Sequence, residues 1–206
     1  MTASRCFELL LLGSLGCVAA LGLIRALLLR SHGVRLVAID PKRSITQGLT
    51  DLAQVVALLF WWYAAVAYAW PLAAQPVPSW LGTVLIDTPS AKAAGVVLSL
   101  IAVVIYALAL HTLGDSWRLG IDRRKPGPLV TNGIFAWTRN PIYVSLDLLL
   151  LGAFLVEGRL ILLLLALANA PLFHLLIERE ESFLAEIYGE PYRRYRRRVG
   201  RYVGRW

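Results

Sequence analysis

Leu129-Val130-Thr131-Asn132-Gly133-Ile134-Phe135, then Arg139-Asn140-Pro141-Ile142-Tyr143, lead into two apolar segments at residues 142–156 and 160–177. Glu157-Gly158-Arg159 separates those segments, so the pair is expected to form a helical hairpin with a tight turn. Beyond it come Glu178-Arg179-Glu180-Glu181-Ser182-Phe183-Leu184, Tyr188-Gly189 and Tyr192-x-x-Tyr195. Polar and turn-forming residues wrapped around a membrane hairpin suggest a buried site at one face of the bilayer, because insertion alone requires none of them.

The rest of the chain supplies the membrane frame. Hydrophobic residues make up 58% and charged residues 17%, against roughly 45–50% and about 25% in soluble domains. The apolar residues fall in blocks. Residues 7–29 are interrupted only by Glu8 and Arg25, while 52–70 and 93–110 carry no charge. Runs near the ~20 residues that cross about 30 Å of hydrocarbon read as transmembrane helices. The expected fold is all-α and polytopic, a single membrane domain over 1–206 with about five transmembrane helices. Residues 1–110 form the N-terminal helices, and 111–206 the loop, hairpin and C-terminal helix.

A net charge of +8 could suggest nucleic acid, but its distribution argues against that partner. Arg30, Arg35, Lys42 and Arg43 lie between the first two spans, and Arg118, Arg123, Arg124 and Lys125 between the third and fourth. Eight arginines crowd the tail from Arg179 to Arg205, whereas residues 71–90 have no basic residue. By the positive-inside rule the N-terminus lies outside and the tail in the cytosol, as an odd number of crossings requires. The expected location is a bacterial-type inner or plasma membrane, with the tail arginines meeting anionic lipid headgroups.

Cys6 and Cys17 both fall in the first apolar segment and imply neither a metal spacing nor a disulfide framework. His111 and His32 have no companion ligands, so no metal is expected. Ser14-Leu15-Gly16-Cys17 resembles a lipoprotein cleavage box. Cleavage would remove one crossing and spoil the orientation parity, so an uncleaved anchor is the preferred reading.

Asp40-Pro41 makes a break, and Thr50-Asp51 reads as the cap of the second span. Trp70 and Trp80 suit an interfacial aromatic belt. Phe60-Trp61-Trp62-Tyr63 sits mid-helix, where it either packs between helices or walls a lipid substrate. In the second half Gly114, Gly120, Pro126, Gly127, Pro128 and Gly133 signal a loop able to fold over a ligand. Asn140-Pro141 then restarts a helix, with asparagine at the cap and proline in the first turn. Such a helix start favours anions such as a carboxylate.

From His111 onward the chain resembles the integral-membrane methyltransferases that include isoprenylcysteine carboxyl methyltransferase and the phospholipid methyltransferases. The elements are the leucine-valine-threonine-x-glycine entry, the arginine-asparagine-proline-x-tyrosine box, the hairpin, the paired glutamates and glycine-x-x-tyrosine-x-x-tyrosine. The resemblance implies S-adenosyl-L-methionine as cofactor. It also implies Gly127, Pro128, Leu129, Val130, Phe135, Asn140, Pro141, Ile142, Tyr143 and Glu180 as the residues that hold it. Phe135 stands where the family often has tyrosine, and Asn140 where the isoprenylcysteine branch has histidine. The arginine that binds the substrate carboxylate in that branch aligns with Leu176, which weighs against a prenylcysteine acceptor.

The chemistry can also be argued without the family. A sulfonium donor needs an anion near its ammonium or ribose hydroxyls, which Glu180 or Glu181 can provide. It needs partners for its carboxylate, such as Arg139 and the helix start at Asn140-Pro141, and an apolar slot such as Leu129, Val130 and Phe135. No G-x-G-x-x-G fingerprint occurs, so a soluble dinucleotide-type fold is excluded. Arg139 and Asp147 are the candidates to touch the reacting partners. Arg139 either orients a ligand or anchors to headgroups. Asp147 lies one turn beyond Tyr143 in an apolar helix, and an intramembrane carboxylate is costly enough to suggest a function. Its bland alternative is a pairing with Arg139 or uptake of water.

His174 follows Pro171, which is expected to kink the helix. The histidine is either satisfied by a neighbour or touches substrate. Tyr192 and Tyr195 read as interfacial anchors docking the tail against the loop, and Glu190 and Arg194 stand at ion-pair spacing. The implied partners are membrane lipids and a small or lipophilic acceptor. Two rival readings are a membrane NADPH-dependent reductase of the sterol type and a non-enzymatic scaffold or lipid-binding protein.

Overall fold

The computed structural model describes residues 3–32, 44–70, 78–114 and 127–204. The break at Asp40-Pro41, Gly120 and Pro126 of the inner loop, Arg205, and the basic residues of 33–43 and 115–126 lie outside the described residues. Six α-helices are present among those described: α1 (Ala3–Ser31), α2 (Ile45–Ala69), α3 (Pro89–Leu113), α4 (Pro141–Glu157), α5 (Leu160–Tyr188) and α6 (Glu190–Arg198). A 3-10 turn, Gly133–Ala136, precedes α4. The protein is an all-α, polytopic membrane fold.

Four helices, α1, α2, α3 and α5, are long and apolar enough to cross a membrane. The fifth expected span, α4, has 17 residues, about 25 Å of helix, at the lower end of the lengths that cross a roughly 30 Å hydrocarbon core. It lies along α3 instead of standing alone. Gly95 and Gly152 permit that approach: a methyl group on either would lie within 3 Å of the other's carbonyl oxygen. Ser99, Ala102 and Ala153 are fully buried on the same seam. Close backbone approach through small residues is how helices associate where lipid offers no hydrophobic driving force.

Neighbouring helices alternate in direction. At one end Arg5 donates to the carbonyl of Ala69, 3.0 Å, and Lys92 to Ser4, 2.8 Å. That end also holds the α4–α5 turn, where Gly158 has φ 65°. The amides of Leu85 and Ile86 donate to the Gly158 carbonyl, and Leu160 N donates to Thr83 O. Arg159 completes the junction, donating to Gly82 O at 2.8 Å with its guanidinium 4.3 Å from the Tyr68 ring centre. Trp70 and Trp80 are exposed there, as a belt position requires.

The other end gathers the start of α2, the end of α3, the start of α4 and the end of α5. Its polar ties include Gln54 Nε2 to Asn169 Oδ1, 3.0 Å in the core, and an ion pair between Arg179 and Asp51. Asp51 is therefore an inter-helix partner and not a cap. The cap of α2 is Ser44, which forms a reciprocal capping box with Gln47. Hydropathy placed the helix start too late because the first two turns of α2 are polar.

Of the aromatic run, Trp61 is buried while Phe60 and Tyr63 face outward. Its packing role thus belongs to Trp61 and to Trp62, which packs edge-on to it and against the core. The helix α5 continues through Pro171 as one 29-residue element, about 43 Å long. Its last turns, with both glutamates, extend past the ~20 residues that fill a bilayer.

Replacing Gly158 by alanine would set a Cβ 1.7 Å from the Ile86 carbonyl oxygen in a left-handed conformation. Gly158→Ala is expected to cost more than about 1 kcal/mol, read as a lowered melting temperature in detergent.

Candidate functional site

The entry to α4 is a corner built by local chemistry. Gly133 has φ 55°, and a side chain there would strike Thr112 of α3. Glycine thus lets the turn close on the end of α3, burying Phe135. Pro141 fills the first position of α4, where its missing N–H costs nothing. Asn140 occupies the cap position but makes no capping bond. Its side chain points across to α5 instead.

There the corner meets the acidic doublet. Glu181 is 3% exposed. Its Oε1 accepts from Arg139 Nη2 at 3.0 Å and Asn140 Nδ2 at 3.3 Å, and its Oε2 from Arg201 Nη2 at 3.1 Å. A buried carboxylate is tolerated only when paired and hydrogen-bonded in this way. Arg139 is itself buried, and its Nη1 donates to the carbonyl of Arg196 at 3.3 Å.

Glu180, one residue earlier, is turned about 100° around the helix and faces α4. It is half-buried, and Tyr143 donates to its Oε2 at 3.4 Å. The Tyr143 ring packs edge-on to Phe173, with centroids 5.5 Å apart. Among the described residues the two glutamates therefore have different surroundings, Glu181 held by three donors and Glu180 by one phenol.

The loop before the corner docks on the ends of α5 and α6. Tyr188 donates to the Gly127 carbonyl, and Leu129 packs against Tyr192, Tyr195 and Val199. Tyr195 Oη donates to Phe135 O at 2.7 Å. Both tyrosines dock the tail as expected, yet they are sealed inside and not exposed at an interface. Burial pushes both phenols above their ordinary range. Glu181 reinforces that for each, and Arg139 opposes it. A groove of about 650 Å³ lies beside this packing, lined by Leu129, Thr131, Pro191, Arg194, Tyr195, Arg197 and Arg198. Pro128 is exposed and Val130 half-buried, while Ile142 packs on the main core.

At this corner two buried donors, Arg139 Nε and Tyr192 Oη, have no hydrogen-bond partner among the described residues. Asp147 is half-buried and has neither hydrogen bond nor ion pair among the described residues, so the pairing with Arg139 is not seen. It lies close enough to raise the Tyr202 phenol, after burial as the larger cause. His174 is satisfied by neighbours: Nδ1 lies 2.5 Å from Tyr202 Oη, and Nε2 lies 3.3 Å from Glu178 Oε1. Glu190 pairs with Arg197 at 2.6 Å and Arg193 at 3.9 Å, not with Arg194.

The sequence reading missed Arg201 and Tyr202. They sat in a run of arginines with no spacing to mark them, beyond the tyrosine pair.

This arrangement defines a helical-hairpin membrane protein whose polar corner is closed by an inward-facing C-terminal segment. Residues 90–191 match the phospholipid methyltransferase family. Two relatives match parts of the chain. A protein-S-isoprenylcysteine O-methyltransferase of Schizosaccharomyces pombe is 36% identical over 78 residues, 37% of this chain and 33% of the relative. A cobalt-zinc-cadmium resistance protein of Cupriavidus metallidurans is 38% identical over 95 residues, 45% of this chain and 43% of the relative. The chain thus spans between a third and under half of these relatives' lengths.

Removing one partner of a buried ion pair leaves the other uncompensated, at about 3–5 kcal/mol. Glu181→Ala is expected to lower the melting temperature in detergent sharply. Glu180→Gln, which keeps an acceptor for Tyr143, should leave it within about 1 kcal/mol of wild type by the ordinary net value of a hydrogen bond.

Proposed function

We propose that the chain is an S-adenosyl-L-methionine-dependent methyltransferase embedded in the membrane. Its acceptor is a small or lipophilic molecule entering from the bilayer. The observation that carries this reading is the joining of the Arg139–Tyr143 box to the glutamate pair, through Asn140 to Glu181 and Tyr143 to Glu180. The match of residues 90–191 to the phospholipid methyltransferase family supports it, as does the likeness to an isoprenylcysteine O-methyltransferase.

The residues present fit the polar end of such a cofactor. An α-amino acid carries one carboxylate and one ammonium. The unpartnered donors Arg139 Nε and Tyr192 Oη suit the former. Glu180, held among the described residues by Tyr143 alone, suits the latter. Asn140, Pro141 and Ile142 set the corner from which these groups are presented, while Glu181 orients Arg139. Gly127, Pro128, Leu129, Val130 and Phe135 form the wall for adenine. When bound, the cofactor supplies a sulfonium methyl group for in-line displacement by the acceptor.

The protein's part is then to align the partners and exclude water. Asp147, half-buried and unpaired among the described residues, binds or deprotonates an amine or thiol acceptor. The basic surface of α6 supports the reading that this end of the bundle faces the cytosol, with the N-terminus outside.

Labelled S-adenosylmethionine should bind the protein in detergent, and NADPH should not compete. Glu180→Gln should weaken binding by about tenfold or more, the value of a charge-assisted hydrogen bond, without changing the melting temperature. Full binding by Glu180→Ala and Asn140→Ala together would sink the reading. Asp147→Asn should lower turnover while leaving cofactor affinity unchanged; unchanged turnover across pH would remove Asp147 from the site.

A further inference from the structure

Residues 199–204 run back from α6 as a strap across the corner. Gly200 O accepts from Arg139 N at 3.0 Å, and Gly204 N donates to Trp137 O at 3.2 Å. The carbonyl of Arg201 accepts from Asn140 Nδ2 at 3.0 Å and Thr138 Oγ1 at 3.3 Å. A Gly200 N to Gly204 O bond of 2.7 Å closes the turn, with Gly204 at φ 118°. On the α5 side Arg201 Nη2 reaches Glu181 at 3.1 Å, while its Nη1 reaches Glu178 at 3.3 Å and lies 3.2 Å from His174 Nε2. Tyr202 latches onto His174, their rings stacked with centroids 6.1 Å apart. The strap thus joins both halves of the site, by its backbone to residues 137–140 and by its side chains to α5.

Resting on the cofactor reading above, we propose that Arg201 is a positioning residue for cofactor binding, acting through Glu181. The two oxygens of Glu181 are divided: Oε1 serves Arg139 and Asn140, and Oε2 serves Arg201. An arginine and a carboxylate left to themselves prefer two parallel hydrogen bonds. By occupying Oε2, Arg201 prevents that bidentate collapse. Arg139 is held by one amino group, Asn140 keeps its bond to Oε1, and Arg139 Nε stays unpaired in the buried corner. Burial works against the Arg201 charge, but the hydrogen bond and field of Glu181, and then those of Glu178, outweigh it and keep the guanidinium charged. Removing the side chain lets Glu181 rotate onto Arg139 and withdraws Nε from any ligand.

The test is cofactor affinity of the full chain in detergent, read with S-adenosylmethionine alongside the melting temperature. Arg201→Ala should weaken binding by about tenfold, with KM for the cofactor rising more than kcat falls. Arg201→Lys, which keeps the charge but cannot straddle Glu178 and Glu181, should recover part of the loss. Because the effect passes through Glu181, Arg201→Ala in a Glu181→Gln background should weaken binding no further. Arg201→Gln replaces the alanine variant should that one not fold. Additive losses in the cycle, unchanged or tighter binding, or a lowered melting temperature with normal affinity would each overturn the proposal. Failure of the wild-type protein to bind the cofactor would instead remove the cofactor reading, and this inference with it.

Discussion

A carboxylate buried among helices must be neutralised where it sits, and Glu181 imposes that condition on the site end of the molecule. Its charge demands donors, and the chain provides three from places far apart in sequence: Arg139 and Asn140 before α4, and Arg201 after α6. Each donor drags its own segment into place. Arg139 and Asn140 hold the corner against α5, and Arg201 brings the strap over both. The cost of an unpaired buried ion, several kcal/mol, makes this a strong organiser of the three segments.

That organiser works only because the opposite end fixes the helices beforehand. The Gly95–Gly152 approach sets the spacing of α3 and α4. The turn at Gly158, hydrogen-bonded to residues 85 and 86, sets where α5 begins. From that point a continuous 29-residue helix carries Glu180 and Glu181 out to the level of the α4 start. Packing of small residues thus decides that Asn140 and Glu181 face one another, and electrostatics decides how closely. Neither part would suffice: glycine seams carry no information about charge, and an ion pair across a badly registered hairpin would leave its partners out of reach.

Blocked hydropathy made the helices legible in the sequence, and the order of short motifs made the Arg139–Tyr143 box and the glutamates legible too. Three things were not. The start of α2 was hidden because its capping box at Ser44 precedes polar turns that hydropathy counts as loop. The separate fates of Glu180 and Glu181 were hidden because the motif joins two residues that the helix points about 100° apart. Arg201 was hidden most deeply. Composition renders it one arginine among many, and only the turn from Gly200 to Gly204 distinguishes it from the exposed arginines of α6.

The pairing of two glutamates also has a logic of its own. Had one carboxylate both to tie the corner together and to meet a cationic ligand, binding would compete with Arg139 and Arg201 for the same oxygens. Adjacent positions on a helix avoid that conflict, since they share a height along the axis but not a direction. Glu181 is saturated by guanidinium and amide donors, which fixes the geometry before any ligand arrives. Glu180 sits at the same level with a single phenol for company among the described residues. A carboxylate held by one neutral donor retains most of its capacity for a cation, and its orientation is inherited from the neighbour that cannot move.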